Sequence, residues 1–184
     1  FDKGDIRLCS QNSSLQIAVS DNDNIGVKLA LKNLCNDFKA VNGSAVTMTS
    51  AAKGSAIVVG TLGSSTLIDQ LAKQGKIDAR QLKGKTEKYI ITIVDGKLII
   101  AGSDRRGTIY GIYELSRQIG VSPWYYWMDV PVAKHKDIYV NNGIYTDGEP
   151  AVRYRGIFLN DEAPCLTTWV KNTFGTNYGG HKFY

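Results

Sequence analysis

The sequence predicts an α/β fold in which helices pack on a layered, mixed β-sheet. Strand and helix patterns alternate over residues 5–120, which is typical of layered α/β domains. The apolar run at residues 56–60 has the length and composition of a strand covered on both faces. Asp95-Gly96 separates two further strand patterns, and this pair is the strongest short signal for a hairpin. The hairpin makes the predicted sheet mixed rather than purely parallel.

Four strand patterns and two helix patterns make up the first half of the chain. Strands are expected at residues 6–9, 15–19, 45–48 and 56–60. The first helix follows capping residues at 20–24 and ends at Gly43, because glycine readily adopts the left-handed conformation of a helix end. The second begins at Ser64 or Ser65 and ends near Gln74.

The second half begins with the hairpin strands, expected at residues 89–94 and 97–101. Asp104 caps the third helix and Gly120 ends it. The inner stripe of this helix is predicted to be Ile109, Ile112, Tyr113, Ser116 and Ile119. An aromatic loop at 122–131, a short strand at 137–140 and a new strand at 153–159 complete the prediction.

Composition and charge exclude several classes of function. The 184 residues are 43% apolar and 21% charged, as in an ordinary globular protein. The net charge of +5 is spread along the chain without a run of five basic residues, which argues against nucleic-acid or membrane binding through a polybasic patch. Three scattered cysteines and two histidines predict neither a disulfide framework nor a metal site, and no cofactor is expected.

Two strand-to-helix loops are candidates for ligand binding. Residues 60–65 occupy the place of a phosphate-binding loop but lack its Lys-Ser/Thr, so a tight turn is the favoured interpretation. Arg105 and Arg106 open the third helix and cannot both point the same way. One of them can face an acidic surface or an anionic ligand, and a solvated first turn explains the pair equally well.

Four consecutive aromatic residues, Trp124, Tyr125, Tyr126 and Trp127, are the sharpest anomaly of composition. Aromatic rings present flat faces on which sugar rings stack, and they also fill domain interfaces. We expect both uses here, with at least one of the two tryptophans near a ligand.

Asn160, Asp161 and Glu162 follow the last predicted strand. Polar residues at the carboxyl end of a barrel strand are where active sites are built, and carboxylates supply acid, base or substrate hydrogen bonds. A capped strand end gives the same pattern. Cys165 has no histidine or lysine beside it, so a nucleophilic role is not expected.

Three long segments resemble glycoside hydrolase family 115, the xylan α-1,2-glucuronidases. They are IAGSDRRGTIYGIY at 100–113, GVSPWYYW at 120–127 and GEPAVRYRGIFLNDEAP at 148–164. Residues 57–63 and 67–69 are also similar to that family. The resemblance extends from about residue 15 to the end of the chain.

The resemblance implies that residues 1–150 are an N-terminal α/β accessory domain of the type that precedes glycosidase barrels. Residues 151–184 would then be the truncated start of the catalytic (β/α)₈ barrel, with 153–159 as its first strand. The implied parent enzyme removes glucuronic acid or 4-O-methylglucuronic acid from xylan with inversion. Catalysis lies mainly in the missing part of the barrel, so the 184 residues alone are expected to be inactive.

The resemblance also suggests roles for particular residues. Asp161 and Glu162 are the catalytic candidates, but neighbours on a strand end point to opposite sides and cannot by themselves form an inverting pair. The predicted substrate-binding residues are Trp124, Trp127, Asn160 and Asp161. The residues predicted to dock against the rest of the chain are Arg105, Arg106, Tyr125 and Tyr126.

The expected partners are xylan or a uronic-acid-bearing oligosaccharide and the catalytic barrel of the same chain, with no nucleic acid and no membrane. The expected location is secreted or periplasmic in a bacterium, after removal of a signal peptide. Three alternatives stay open. The chain can be the leading domain of a family 67 or family 20 exo-glycosidase, a carbohydrate-binding module, or a structural interaction domain without catalysis.

Overall fold

The computed structural model describes residues 3–156, 158, 168, 169, 171 and 172. The chain divides into two compact units, Phe1–Pro150 and Ala151–Tyr184. The roles of these units as accessory domain and barrel start remain predictions.

The first unit contains thirteen short elements among its described residues. Its strands are β1 (Ile6–Ser10), β2 (Ser14–Val19), β3 (Ala45–Thr49), β4 (Ile57–Thr61), β5 (Tyr89–Val94), β6 (Lys97–Gly102), β7 (Asp137–Val140) and β8 (Ile144–Tyr145). Its helices are α1 (Ile25–Asn42), α2 (Thr66–Lys73), α3 (Arg105–Gln118) and α4 (Tyr125–Met128), with a 3₁₀ turn at Ala79–Gln81.

Six strands form a mixed sheet in the order β3-β2-β4-β6-β5-β8. The first four of these run parallel, whereas β5 is antiparallel to both β6 and β8. The Asp95-Gly96 turn joins β5 and β6, and both residues have positive φ (50° and 73°), as the predicted hairpin requires. β1 and β7 pair separately as an antiparallel ribbon.

Both faces of the sheet are covered, which confirms the layered mixed α/β prediction. Alternate residues of the central strands point to opposite faces. Ile57, Val59, Leu98 and Ile100 join α1 and α3 in one core, and Val58 and Ile99 join α2 in the other. All five residues of β4 are buried, as expected from its unbroken apolar run.

Local signals place the helix ends. Asn24 caps α1 by accepting a hydrogen bond from Gly26 N at 2.8 Å, and Gly43 ends the helix with a φ of 79°. Ser65 caps α2, and Asp104 caps α3 through Gly107 N at 2.8 Å.

Three sequence expectations need correction. Tyr113 is 44% exposed rather than part of the inner stripe, because Gly107 faces the Lys88 backbone and Gly111 faces Tyr89 and Ile100, which sets the buried side of α3. The aromatic segment contains the short helix α4 rather than loop alone. Residues 153–156 and 158 form no strand, and none of them has a ladder partner.

Candidate functional site

The carboxyl ends of β2 and β4 form the topological switch point of the sheet. The chain leaves β2 for β3 on one side, and β4 then joins β2 on the other. Ligands of open α/β sheets bind in the crevice at this point. Both α1 and α3 also begin at this edge, after β2 and β6 respectively.

In this chain the carboxylate of Asp23 fills the crevice. Asp23 is buried and accepts hydrogen bonds from Thr61 N at 2.9 Å, from Thr61 Oγ1 at 3.1 Å and from Asn24 N at 2.8 Å. Thr61 Oγ1 in turn lies 2.7 Å from Thr108 Oγ1. A buried anion that is already satisfied by these donors disfavours a phosphate at the same position.

The 60–65 loop is closed by its own side chains as well. Ser65 Oγ lies 2.9 Å from Ser20 Oγ, and Gly63 N donates to Asp69 Oδ1 at 2.8 Å. A side chain at Gly60 would overlap Ser65, so the loop and the helix start are in close contact. The geometry is that of the tight turn favoured by the sequence, and it leaves no cradle for a phosphate.

Asp104 connects the start of α3 to the residues before β5. Besides capping α3, it accepts a hydrogen bond from Glu87 N at 2.8 Å through its second oxygen. Glu87 is only 6% exposed and has a φ of 54°, an uncommon conformation for a residue with a side chain. Its carboxylate accepts from Arg106 Nη1 at 2.8 Å.

The two adjacent arginines therefore have different surroundings. Arg106 pairs with a buried carboxylate of its own unit, and Arg105 is exposed near the start of α1, where its Cδ lies 3.7 Å from the Cβ position of Gly26. The docking role predicted for both remains a prediction. Both arginines are exposed, and the Arg106 side chain remains 61% exposed although it pairs with Glu87.

The two aromatic side chains of this segment that the structure describes lie at the surface. Trp124 is 58% exposed and Tyr125 is 50% exposed, and Met128 on the same turn is also exposed. Ser122 Oγ accepts from Trp124 N at 3.1 Å and so fixes the entry to α4. Residues 126 and 127 belong to this helix, but their side chains lie outside what the structure describes.

The polar residues that end the predicted barrel strand, Asn160, Asp161 and Glu162, also lie outside the described residues. Of the two cysteines that are described, Cys9 is buried, and burial raises the pKa of the Cys35 thiol, so Cys35 is a poor nucleophile. No three described His, Cys, Asp or Glu side chains come together as a metal site requires. No described helix is both long and apolar enough to cross a membrane.

Sequence reasoning did not identify Asp23 and Glu87 as members of polar networks. Asp23 sits in an Asp-Asn-Asp-Asn run that predicts only a helix cap, and Glu87 sits in a polar loop. Asp23 lies four residues after the end of β2, and the sequence carries no signal that either residue joins a polar network.

Comparisons with known proteins place this geometry in a family. A model of the glycosyl hydrolase family 67 N-terminus matches residues 4–115, and a model of glycosyl hydrolase family 115 matches residues 147–184. A solved family GH115 4-O-methyl-alpha-glucuronidase, BtGH115A, with specificity for decorated arabinogalactans, is 34% identical. The match has a TM-score of 0.82 and covers 93% of this chain. The chain belongs to glycoside hydrolase family 115, and its leading domain is of the family 67 N-terminal type.

This chain spans 22% of the length of that glucuronidase. More distant structures share the fold alone. A beta-hexosaminidase from Streptomyces plicatus is 15% identical with a TM-score of 0.54, and the match covers 84% of this chain and 25% of the other. CpGH84D is 7% identical with a TM-score of 0.51 over 77% of this chain and 22% of its own. No curated protein sequence matches the chain.

Proposed function

We propose that this chain is part of an α-glucuronidase that removes glucuronic acid or 4-O-methylglucuronic acid from a polysaccharide. The observation that carries the proposal is the 34% identity to a 4-O-methyl-alpha-glucuronidase over 93% of this chain. The alternative reading as a family 67 leading domain draws support from the match at residues 4–115. The family 115 match at residues 147–184 favours the main proposal.

Under this proposal, residues 1–150 are the accessory domain and residues 151–184 are the start of the catalytic barrel. Asp161 or Glu162 contacts the substrate or positions the attacking water, and Asn160 hydrogen-bonds the uronic acid. Inversion needs two carboxyl groups about 6.5–9.5 Å apart with a water between them, so the second carboxylate comes from another barrel strand. The 184 residues alone are then inactive.

The aromatic segment has two roles in this proposal. Trp124 and Trp127 contact the sugar, and Tyr125 and Tyr126 dock against the rest of the protein together with Arg105 and Arg106. The exposure of Trp124 and Tyr125 supports these roles, because large apolar rings at a surface commonly mark ligand or protein contacts.

The polysaccharide backbone is either xylan or an arabinogalactan. The resemblance in sequence implies xylan, whereas the similar enzyme of known structure has specificity for decorated arabinogalactans. Neither polymer crosses a membrane unaided, so we place the enzyme outside the cytoplasm, as a secreted or periplasmic protein.

The direct test uses the full-length protein with glucuronoxylan and with glucuronidated arabinogalactan, measuring released uronic acid. Release from one polymer identifies the backbone, and release from neither contradicts the proposed function. The alanine variants of Asp161 and Glu162 are compared with Asp78→Ala, a matched control at an exposed carboxylate in the first unit. Asp161→Ala should lower turnover by orders of magnitude, and near wild-type turnover in both variants would contradict the assigned roles.

A further inference from the structure

A cavity of about 210 Å³ lies beside the second half of α3, in a part of the first unit to which the sequence assigned no role. Leu98 of β6, Ile91 of β5 and Leu115 of α3 contribute to its apolar lining, and all three are buried. Ile138 of β7 adds a fourth buried side chain. The cavity therefore has a preformed apolar floor of the kind found in small-ligand sites.

Two half-exposed tyrosines also line the cavity. Tyr139 of β7 is 46% exposed, and Tyr145 of β8 is 45% exposed. The pairing of Tyr145 with Ile91 in the sheet fixes its backbone at the edge of the cavity. Aromatic rings offer flat apolar faces together with a polar hydroxyl.

Hydrogen-bonding side chains from the end of α3 and from the residue after β7 also line the cavity. They are Glu114, Gln118 and Asn141. The Glu114 carboxylate accepts from Arg117 at 2.6 and 2.9 Å and from Gln118 Nε2 at 2.7 Å. These contacts lock the carboxylate orientation, and the Arg117 hydrogen bonds lower the Glu114 pKa, so the group stays ionised at neutral pH.

The charges around the cavity select against an anionic sugar. None of the described residues lining it is a lysine or an arginine, and the nearby Arg117 guanidinium is already paired with Glu114. A uronate placed here would meet the Glu114 carboxylate without a cation of its own. A neutral sugar ring avoids this repulsion. Its hydroxyl groups can donate to the carboxylate and can both donate to and accept from the amide side chains.

A second cavity of similar size shows that these features are not general to the unit. About 220 Å³ lie beside α2, lined by aliphatic, amide and charged side chains such as Leu67, Gln70 and Lys97. No aromatic ring is found among the described residues that line it. Aromatic faces, apolar floor and amide rim therefore coincide at the α3 cavity.

We propose that the α3 cavity binds one neutral pyranose ring of a polysaccharide backbone, with Tyr139 and Tyr145 against the ring and Gln118 and Asn141 on its hydroxyls. The substrate class rests on the proposed function, and xylose and galactose units share the chemistry that the cavity recognises. The site holds the accessory unit on the backbone that carries the glucuronic acid.

Calorimetric titration of the 184-residue chain tests the proposal with two probes, xylohexaose and a β-linked galactohexaose. We expect at least one of them to bind, and Tyr139→Ala and Tyr145→Ala each to weaken that binding at least fivefold. Tyr145→Phe keeps the ring and should bind within twofold of the wild type. Tyr113→Ala is the matched control, because Tyr113 has nearly the same exposure but lies outside the cavity lining.

The proposal is overturned if neither oligosaccharide binds, if Tyr113→Ala weakens binding as much as the cavity variants, or if free glucuronic acid binds more tightly than the neutral probes. Thermal melting of each variant confirms that it is folded. If a tyrosine variant does not fold, the Gln118→Leu variant is measured in its place, and it should also weaken oligosaccharide binding. Uronic acid release by the full-length enzyme is measured separately, so failure of this site and failure of the proposed activity give different results.

Discussion

Replacing Asp104 by alanine removes two hydrogen-bond acceptors at one position. One carboxylate oxygen caps α3 through Gly107 N, and the other accepts from Glu87 N, each at 2.8 Å. The second bond also holds Glu87 at its positive φ, next to the ion pair that Glu87 forms with Arg106. Asp104 therefore ties the strand-to-helix turn to the loop before β5.

The expected loss of stability follows from these two bonds. Losing the cap costs about 1 kcal/mol. Leaving the partly buried Glu87 N–H without its acceptor costs about 1–3 kcal/mol more. The Asp104→Ala variant should therefore lose about 2–4 kcal/mol, which corresponds to a melting temperature lower by about 5–15 °C for a chain of this size.

Thermal and urea unfolding followed by circular dichroism measure this loss. Asp104→Asn keeps a capping oxygen but presents an amide to Glu87 N, so its loss should be intermediate. Asp78→Ala is the control: Asp78 caps only the 3₁₀ turn and pairs with the exposed Arg80, so a change within about 0.5 kcal/mol is expected. An Asp104→Ala variant as stable as Asp78→Ala would refute the reasoning.

Three further predictions concern stability. Leu34→Ala, in the core of α1, should cost about 2–5 kcal/mol, whereas Leu29→Ala on the exposed side of the same helix should change stability by less than about 0.5 kcal/mol; equal losses in urea unfolding would contradict the assigned faces. Gly107→Ala should destabilise the chain although alanine favours helices, because the new Cβ would overlap the Lys88 carbonyl; an unchanged or higher melting temperature would be the opposite result. Burial raises the pKa of Tyr89 above its usual 10.0, so at higher pH the unfolded tyrosine ionises before the folded one and stability falls above about pH 10. In Tyr89→Phe this part of the pH dependence should be absent, and an unchanged slope of unfolding free energy against pH would contradict it.

Most of the fold was predictable because its signals are local. The apolar run of β4, the Asn24 cap and the Asp95-Gly96 turn act within a few residues, and each element lies close to its expected position. The prediction that Tyr113 belongs to the inner stripe of α3 is wrong, and the reason lies in the tertiary structure. Periodicity alone allows several rotations of α3, and the contact of Gly111 with Ile100 and Tyr89 selects one of them.

The polar sites were much less predictable. The Asp23 carboxylate and the Thr61 hydroxyl are 38 positions apart, and they meet only because the sheet order places β4 beside β2. The catalytic candidates Asp161 and Glu162 remain predictions of the sequence, since they lie outside the described residues.

The sequence by itself determined most of the strands, helices and turns of the first unit and the segments that resemble family 115, since both are written in neighbouring residues. Only the tertiary structure decided that the switch point is closed by Asp23, that Arg106 pairs with a buried Glu87, and that Tyr139 and Tyr145 line a cavity beside α3. The physical reason is the same in each case. These side chains come from separate elements, and their distances are fixed by strand order and helix packing rather than by spacing along the chain.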